Sequence, residues 1–510
     1  MKQTTSDPSR NWSNRILAAS LFGILFFTLF PYWVDFSSKH SPGRSPFLLG
    51  GPLRFDGILH TFLNALLFMP FGFALSQFHG ERKKSPLKIL TLALITGVAL
   101  SYSIEITQLY IPSRDSAWDD VIANTLGALA GAGFGLISGG YIFRVLSELE
   151  TYLERFLSLR KIIIIASIYF GVWLAVSVPL QHKSRLNNWS PNSFVIVGYD
   201  INEDTQWPGA VSRIQLWNRS LSADEETRLP SGGSNNNLIP GLDSNLIASY
   251  DVSQLPPIPS NVGGLSNLVL RPLATIPDIS HRRKRRDSSP VLMSEGDMHS
   301  LAAAVARSNQ VTVSVDCVPS GGIGTLGAIL DITNLAGTPD FYLQQDHSSL
   351  VVYLKNDLDS RRAQLWWIVP DVFTQNVKRS IVFSYDGARA SLFIDGKTTR
   401  PSAYFSPGAA LVRMLIRVKA TELVAYSVLY ESLIFLPIGF LLGFAVRITP
   451  WRNVFYKLGV CLAILLPAIV LEALLVAISG MRVSMMELIV SIALTCAGML
   501  WMNLDRSKFA

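Results

Sequence analysis

The sequence predicts a polytopic α-helical membrane protein of about eight spans with an all-β domain inserted between the fifth and sixth. Three observations predict it. Of 510 residues, 49% are hydrophobic and only 16% charged, against about a quarter charged in an ordinary soluble protein. The mean hydropathy is +0.32, which excludes an intrinsically disordered chain and argues against a purely soluble enzyme. Long apolar runs gather at both ends of the chain, and the stretch between 181 and 421 has none. That gap is large enough for one soluble domain.

A spanning helix needs about 20 mostly apolar residues. Such runs lie at about 16–34, 57–78, 87–110, 119–140, 162–180, 422–446, 455–479 and 485–503. The first is long, lacks a small-residue cleavage site and runs into Pro31, Tyr32 and Trp33, so it reads as an anchor. With the N-terminus inside, the cytoplasmic stretches hold sixteen Lys and Arg, and the short outer loops hold five. This bias puts both termini in the cytoplasm and residues 185–420 outside it, in an integral cell (inner) membrane. The net charge of +7 then marks cytoplasmic loops and gives no reason to expect nucleic acid. Cys317, Cys461 and Cys496 are too few for a disulfide framework and lack zinc spacing.

The spans contain an internal repeat. NALLFMPFGF at 64–73 reappears as ESLIFLPIGF at 431–440, an offset of 367. The same offset carries Glu105 onto Glu472, Asp120 onto Glu487 and Gly131 onto Gly498. A three-helix unit therefore occurs twice, at about 57–140 and 424–503. Both copies run from outside to inside, so the repeat is parallel. In the second copy Leu475 stands for Gln108 and Ser491 for Asn124, which reads as a degenerate structural partner.

Ionisable groups inside spans are costly and usually functional. The first copy gathers them near its outer end. Asp56 stands at the mouth of the second span, with Asn64 two turns deeper. Ser101, Glu105 and Gln108 share one helix face, and Asn124 follows Asp120 by one turn. The loop IPSRDSAWDD adds Arg114, Asp115, Asp119 and Asp120. The structural alternative is a Glu105–Arg114 pair with amides tying helices together. Three segments sending polar groups to one depth favour an outward-facing site. Gly127, Gly131 and Gly135 form a small-residue stripe for close packing, and Phe68, Pro70, Gly72 and Phe73 a kink and packing element.

An Asn before FxPxGF, the ExxQ of Glu105 and Gln108, an Arg-Asp loop and DDxxxNTLGAxxG at 119–131 together resemble the VanZ-like family over about 50–145. The resemblance implies a membrane protein similar to the accessory protein linked to teicoplanin resistance. It carries over Asn64, Glu105, Gln108, Arg114, Asp120 and Asn124. The second copy departs from the pattern, which speaks against two equivalent sites.

Residues 185–418 alternate apolar and polar positions in short runs such as QVTVSVDCV (310–318) and LVVYLKN (350–356), separated by turn signals. This pattern predicts a β-sandwich. Gly387 and Gly396 mark turns of a meander. WPGAVSRIQLWNRSLSADEE (207–226), LIASYDVSQ (246–254) and SYDGARASLFIDG (384–396) resemble the closing strand, opening strand and penultimate hairpin of LamG-like, concanavalin-A-like jelly rolls. Here the closing strand comes first, which implies a circular permutation in which 190–229 completes a sheet begun at 245, with the two tethers brought close together. Asp331, Asp357, Asp359 and Asp395 could suggest calcium, but no calcium-loop spacing supports it, and most of the four are expected at turns. Trp366 and Trp367 are candidate glycan contacts, one of the pair packing inside. The basic run RRKRR at 282–286 is expected in an exposed loop, with docking to anionic headgroups or acidic polymers as the alternative.

The expected organisation is an anchor helix and outer loop (1–56), the first helical repeat (57–145), a linker and fifth span (146–184), the sandwich (185–420) and the second repeat (421–510). The function expected is that of a cell-envelope membrane protein. Its sandwich binds a glycan or wall polymer, and its bundle handles a lipid-linked precursor or bears on glycopeptide resistance. The alternatives are an intramembrane enzyme or transporter using Glu105 as acid/base or proton carrier and Arg114 on a phosphate, and a structural scaffold or sensor. Partners expected are the bilayer and an envelope glycan or lipid-linked precursor; no cofactor and no metal is implied.

Overall fold

The computed structural model describes residues 8–29, 58–78, 85–111, 116–222, 224–225, 245–254, 256–260, 265–272, 290–320, 325–359, 364–416, 418, 420–449 and 454–503. Five helices come first: α1 (Pro8–Leu29), α2 (Ile58–Phe78), α3 (Pro86–Gln108), α4 (Trp118–Phe156) and α5 (Leu159–His182). Among the described residues, fifteen strands follow, with α6 (His299–Ser308) between the seventh and eighth and α7 (Pro407–Leu415) after the last. Three helices close the chain: α8 (Leu423–Ile448), α9 (Val454–Ser479) and α10 (Met485–Asn503). Among the described residues, seven helices are long and apolar enough to cross a membrane, and α2 adds the shorter apolar stretch Thr61–Gln77. The chain is thus a helical membrane protein carrying a β domain.

The described residues fall into two compact units, whose boundary passes through α5, α8, α9 and α10. In the helical unit, α2 and α4 touch backbone to backbone. A Cβ at Gly131 would lie 1.9 Å from the Met69 carbonyl oxygen, and one at Gly127 would lie 2.0 Å from that of Ala65. Only glycine permits this approach. The same relation recurs 367 residues later. A Cβ at Gly439 would meet the Thr495 oxygen at 2.2 Å, as one at Gly72 would meet that of Ala128 at 1.8 Å. Pro70 and Pro437, inside α2 and α8, stand at that offset too.

A charged cluster, invisible as such in the sequence, joins four helices of this unit. Arg15, 1% exposed, reaches Glu150 Oε2 at 3.1 Å, and Arg447 meets Glu150 and Glu154. Trp501 Nε1 donates to the Arg15 carbonyl at 2.8 Å, and the Arg15 guanidinium lies 4.9 Å from the Trp12 ring. Buried charge is tolerable only with such partners.

The second unit is an antiparallel two-sheet sandwich. Its larger sheet runs β12 (Trp366–Val369), β11 (Ser349–Leu354), β10 (Pro339–Asp346), β9 (Leu326–Asn334), β1 (Ser193–Val197), β7 (Pro290–Ser294), β6 (Leu268–Pro272). The smaller runs β15 (Lys397–Tyr404), β14 (Arg389–Ile394), β13 (Arg379–Tyr385), β8 (Val311–Val318), β4 (Ala210–Trp217), β5 (Leu246–Asp251). A short β2–β3 hairpin (Tyr199–Asp200, Thr205–Gln206) contacts β9. Alternate side chains of both sheets, among them Val195, Val313, Leu330, Phe341 and Phe383, form one core. The two early strands complete sheets whose other members come after 245: β4 lies between β5 and β8, with Ile214 opposite both Tyr250 and Val315, and β1 lies between β7 and β9. Asp395 and Gly396, at φ +53° and +73°, form the two-residue turn between β14 and β15. The domain's entry and exit meet: Ser177 of α5 and Tyr430 of α8 share a hydrogen bond of 2.9 Å.

Of the four aspartates expected mostly at turns, Asp331 is an exception: it lies in mid-β9 at 0% exposure. Asp359 is likewise buried, in an ion pair with Arg413 of α7 at 2.6 Å.

Candidate functional site

The polar residues of α2, α3 and α4 form a linked set. Asn64 Nδ2 donates to Asp120 Oδ1 at 2.6 Å, joining α2 to the first turn of α4. One turn along α4, Asn124 Nδ2 donates to Ser101 Oγ of α3 at 2.9 Å. One turn along α3 from Ser101, Glu105 Oε2 accepts the Ala117 backbone N–H at 2.9 Å. Ala117 is the N-cap of α4 and its own side chain cannot cap, so Glu105 supplies the acceptor from the neighbouring helix. Asp119 and Asp120 in that first turn also complement the helix dipole. Ser101, Glu105 and Asn124 are each 2% exposed or less, while Asn64 and Asp120 are half-buried at the edge.

Two polar atoms here, Asn124 Oδ1 and Ser116 Oγ, are buried and have no hydrogen-bond partner among the described residues. Whichever way the Asn124 amide is turned, one of its ends stays unmatched. Gln108 turns away from the set and donates to the Thr28 carbonyl of α1 at 2.7 Å. Asp119 is buried at the start of α4. Asp56, Arg114 and Asp115 lie outside the described residues, as does the run RRKRR at 282–286.

A second polar set stands one repeat offset away, richer than the sequence suggests. Glu472 Oε1 accepts the Ser484 N–H at 2.6 Å, as Glu105 does that of Ala117. Glu487, at the offset position of Asp120, takes Arg389 Nη2 at 3.3 Å, and the same guanidinium reaches Ser484 Oγ. Arg389 belongs to β14, so no helical repeat could have revealed it. Burial holds the nearby Tyr404 phenol well above its usual range, with Glu487, Glu431 and Glu472 pushing the same way.

Residues 7–139 match the family model described as VanZ/LLP1. The match spans α1 to α3 and the first part of α4, and therefore includes every described member of the first polar set. No curated protein and no solved structure matches the chain. The VanZ/LLP1 segment also takes in α1, which received no family residues from the motifs alone.

On the sandwich, one cross-strand row runs Ile196, Asp331, Tyr342, Tyr353, Trp366. Trp366 is 39% exposed and its ring lies 4.9 Å from that of Tyr353, whereas Trp367 faces the core at 5%. Both Asp331 carboxyl oxygens are buried without a hydrogen-bond partner among the described residues. Burial, then Asp200 and Asp340, raises that carboxyl well above the usual carboxylate range. Tyr342 donates to Asp200 beside it. Among the described residues, no group of His, Cys, Asp and Glu could hold a metal ion.

Proposed function

We propose that this is a cell-envelope membrane protein whose first helical triplet carries an outward-facing binding site for the polar part of an envelope amphiphile, a lipid-linked precursor or a glycopeptide. The observation that carries this reading is the linked set Asn64–Asp120, Asn124–Ser101 and Glu105–Ala117, with its unmatched buried Asn124 end. Buried polar groups in a bundle are expected to be satisfied, and an unmatched one beside carboxylates invites a ligand. The match to VanZ/LLP1 supports a link to antibiotic resistance. The equal offsets of the Glu105 and Glu472 contacts support reading the two triplets as a parallel repeat. Because Glu105 is engaged by a backbone amide, binding is favoured over proton transfer as its role.

The sandwich is read as a permuted LamG-like jelly roll outside the cytoplasm, supported by the insertion of β1 and β4 among later strands. Trp366, exposed beside Tyr353, is its glycan contact. Alkaline phosphatase fused after residue 300 is expected to be active, and a fluorescent protein at the C-terminus to fluoresce. The function itself is tested by glycopeptide susceptibility and envelope lipid intermediates in cells expressing Asp120→Asn or Asn124→Ala. Unchanged profiles with both variants folded would remove the site.

A further inference from the structure

The sandwich ends in an apolar feature that its core does not use. Met414, Leu415 and Ile416, at the end of α7, are all exposed, Leu415 to 75%. Elsewhere among the described residues of the sandwich, no two exposed large apolar side chains are consecutive. The helix is fixed at both of its ends. At the start, Ser406 caps it, accepting the Ala409 N–H at 3.1 Å, and shares a hydrogen bond with Ser427 of α8. A Cβ at Gly408 would lie 2.4 Å from the Tyr426 carbonyl oxygen, so α7 touches the α8 backbone one turn inside the beginning of that span. At the other end, Arg413 pairs with Asp359 at 2.6 Å. The residues just before Asp359 are tied to the exit of α5: the Asp357 and Leu358 N–H groups donate to the Arg185 and Lys183 carbonyls at 2.8 and 3.1 Å.

We propose that Met414, Leu415 and Ile416 form an interfacial foot, inserted among the headgroups and upper acyl carbons of the phospholipid leaflet on the sandwich's side. The level of α7 decides the partner. α5 ends at His182 and α8 begins at Leu423, and α7 is pinned beside both places, so it lies where the chain leaves and re-enters the bilayer. The length of α8 gives the same level. A spanning helix needs about 20 apolar residues, and counting back that far from Arg447, in the last turn of α8, reaches Ser427, the residue bonded to Ser406. Tyr426 and Tyr430 stand there, a residue type enriched at membrane interfaces. Contiguous exposed apolar side chains mark a contact surface, and at this depth the surface beside a span is lipid. A short amphipathic helix with one face fixed and its apolar end free is the form that interfacial anchors take.

The test places a nitroxide spin label on the full chain in nanodiscs of phosphatidylcholine and phosphatidylglycerol. Leu415→Cys is labelled in a chain carrying Cys461→Ser and Cys496→Ser, the third cysteine, Cys317, being buried. Power saturation with oxygen and with a water-soluble nickel chelate then reads the depth of the label. Two exposed positions bracket the scale: Ile168→Cys within the α5 span, and Lys397→Cys in the β14–β15 turn, at the end of β14 away from Arg389 and its contact with Ser484 of α10. The label at 415 is expected about 5–10 Å inside the headgroup level, with nickel accessibility several-fold below that at 397 and oxygen accessibility well above it. Nickel accessibility equal to that at 397 would overturn the proposal. A label shielded from both reagents would overturn it too, by showing that protein covers the trio. The unsubstituted chain gives a second reading, in nanodiscs doped with a phosphatidylcholine carrying a diazirine high on its acyl chain. Photolabelled lipid is expected on the peptide holding Met414–Ile416 and not on the one holding Lys397, and equal labelling of the two would overturn the proposal.

Discussion

Asn64 and Asp120, 56 residues apart, join α2 to the first turn of α4 through a hydrogen bond of 2.6 Å. Membrane hydrogen bonds of this kind are worth about 0.6 kcal/mol on average and rarely exceed about 1.7. A double-mutant cycle of Asn64→Ala and Asp120→Asn, read by thermal unfolding in detergent, is expected to give a coupling in that range. Both single variants are expected to fold. Glycopeptide susceptibility should nevertheless shift fully with Asp120→Asn alone, because the acid is needed for more than the helix contact. A coupling of several kcal/mol with unchanged susceptibility would make the pair a structural tie.

Much of this was legible in the sequence, because local chemistry determines it. About twenty apolar residues make a span wherever they occur, and a glycine every fourth residue marks close helix packing. Depth and helix face put Glu105, Asp120, Asn124 and Asn64 at one level of the bundle, where hydrogen bonds tie their helices together. Arg389 was not, since it reaches Glu487 from a strand nearly a hundred residues earlier. Nor was the Arg15–Glu150–Arg447 cluster, because basic residues at span ends read as loop charges until the helices are assembled. The burial of Asp331 was not legible for a related reason. Alternation along β9 puts it on the outer face, but the separate β2–β3 hairpin packs on that strand.

The α2–α4 contact yields a second prediction. Gly131→Ala would place a methyl group 1.9 Å from the Met69 carbonyl oxygen, against backbone that cannot rotate away. Overpacking of this kind costs about 1–3 kcal/mol, and the helices would have to separate. The melting temperature in detergent should fall. Gly133→Ala has nothing within 4 Å and supplies the control; it should be neutral or slightly stabilising, since alanine is the better helix former. Equal effects at both positions would contradict the backbone contact.

The sandwich should respond to pH in an unusual sense. Burial raises Asp331 well above 3.8 and raises Asp340, and it pushes Asp359 up to about 6 despite Arg413. A carboxyl raised in the folded state binds its proton more tightly there than in the unfolded chain. Its contribution is therefore complete below about pH 4 and is lost as pH climbs through the folded value, near 6 for Asp359. Amide exchange in β9, corrected for intrinsic rates, should be slower at pH 4.5 than at pH 7.5. Asp331→Asn removes one titrating group and should strengthen protection at pH 7.5 while changing little at pH 4.5. Weaker protection at pH 7.5 in that variant would show that the carboxylate is needed there.

Glu105 and Glu472 make the same contact, each accepting an amide N–H from the residue twelve positions on. If that contact were their whole purpose, the two residues would behave alike. Glutamine preserves it, because its side-chain oxygen accepts the same N–H, while the negative charge is lost. Alanine removes it and leaves a helix start uncapped, at a cost of about 0.5–2 kcal/mol. Both alanine variants should therefore melt earlier than the parent, and both glutamine variants should fold. Only Glu105→Gln should change glycopeptide susceptibility, because only the first triplet has Asn124, whose buried Oδ1 is unmatched among the described residues. If Glu105→Gln leaves susceptibility unchanged and Glu105→Ala fails only through instability, Glu105 is a helix cap and the first polar set is structural.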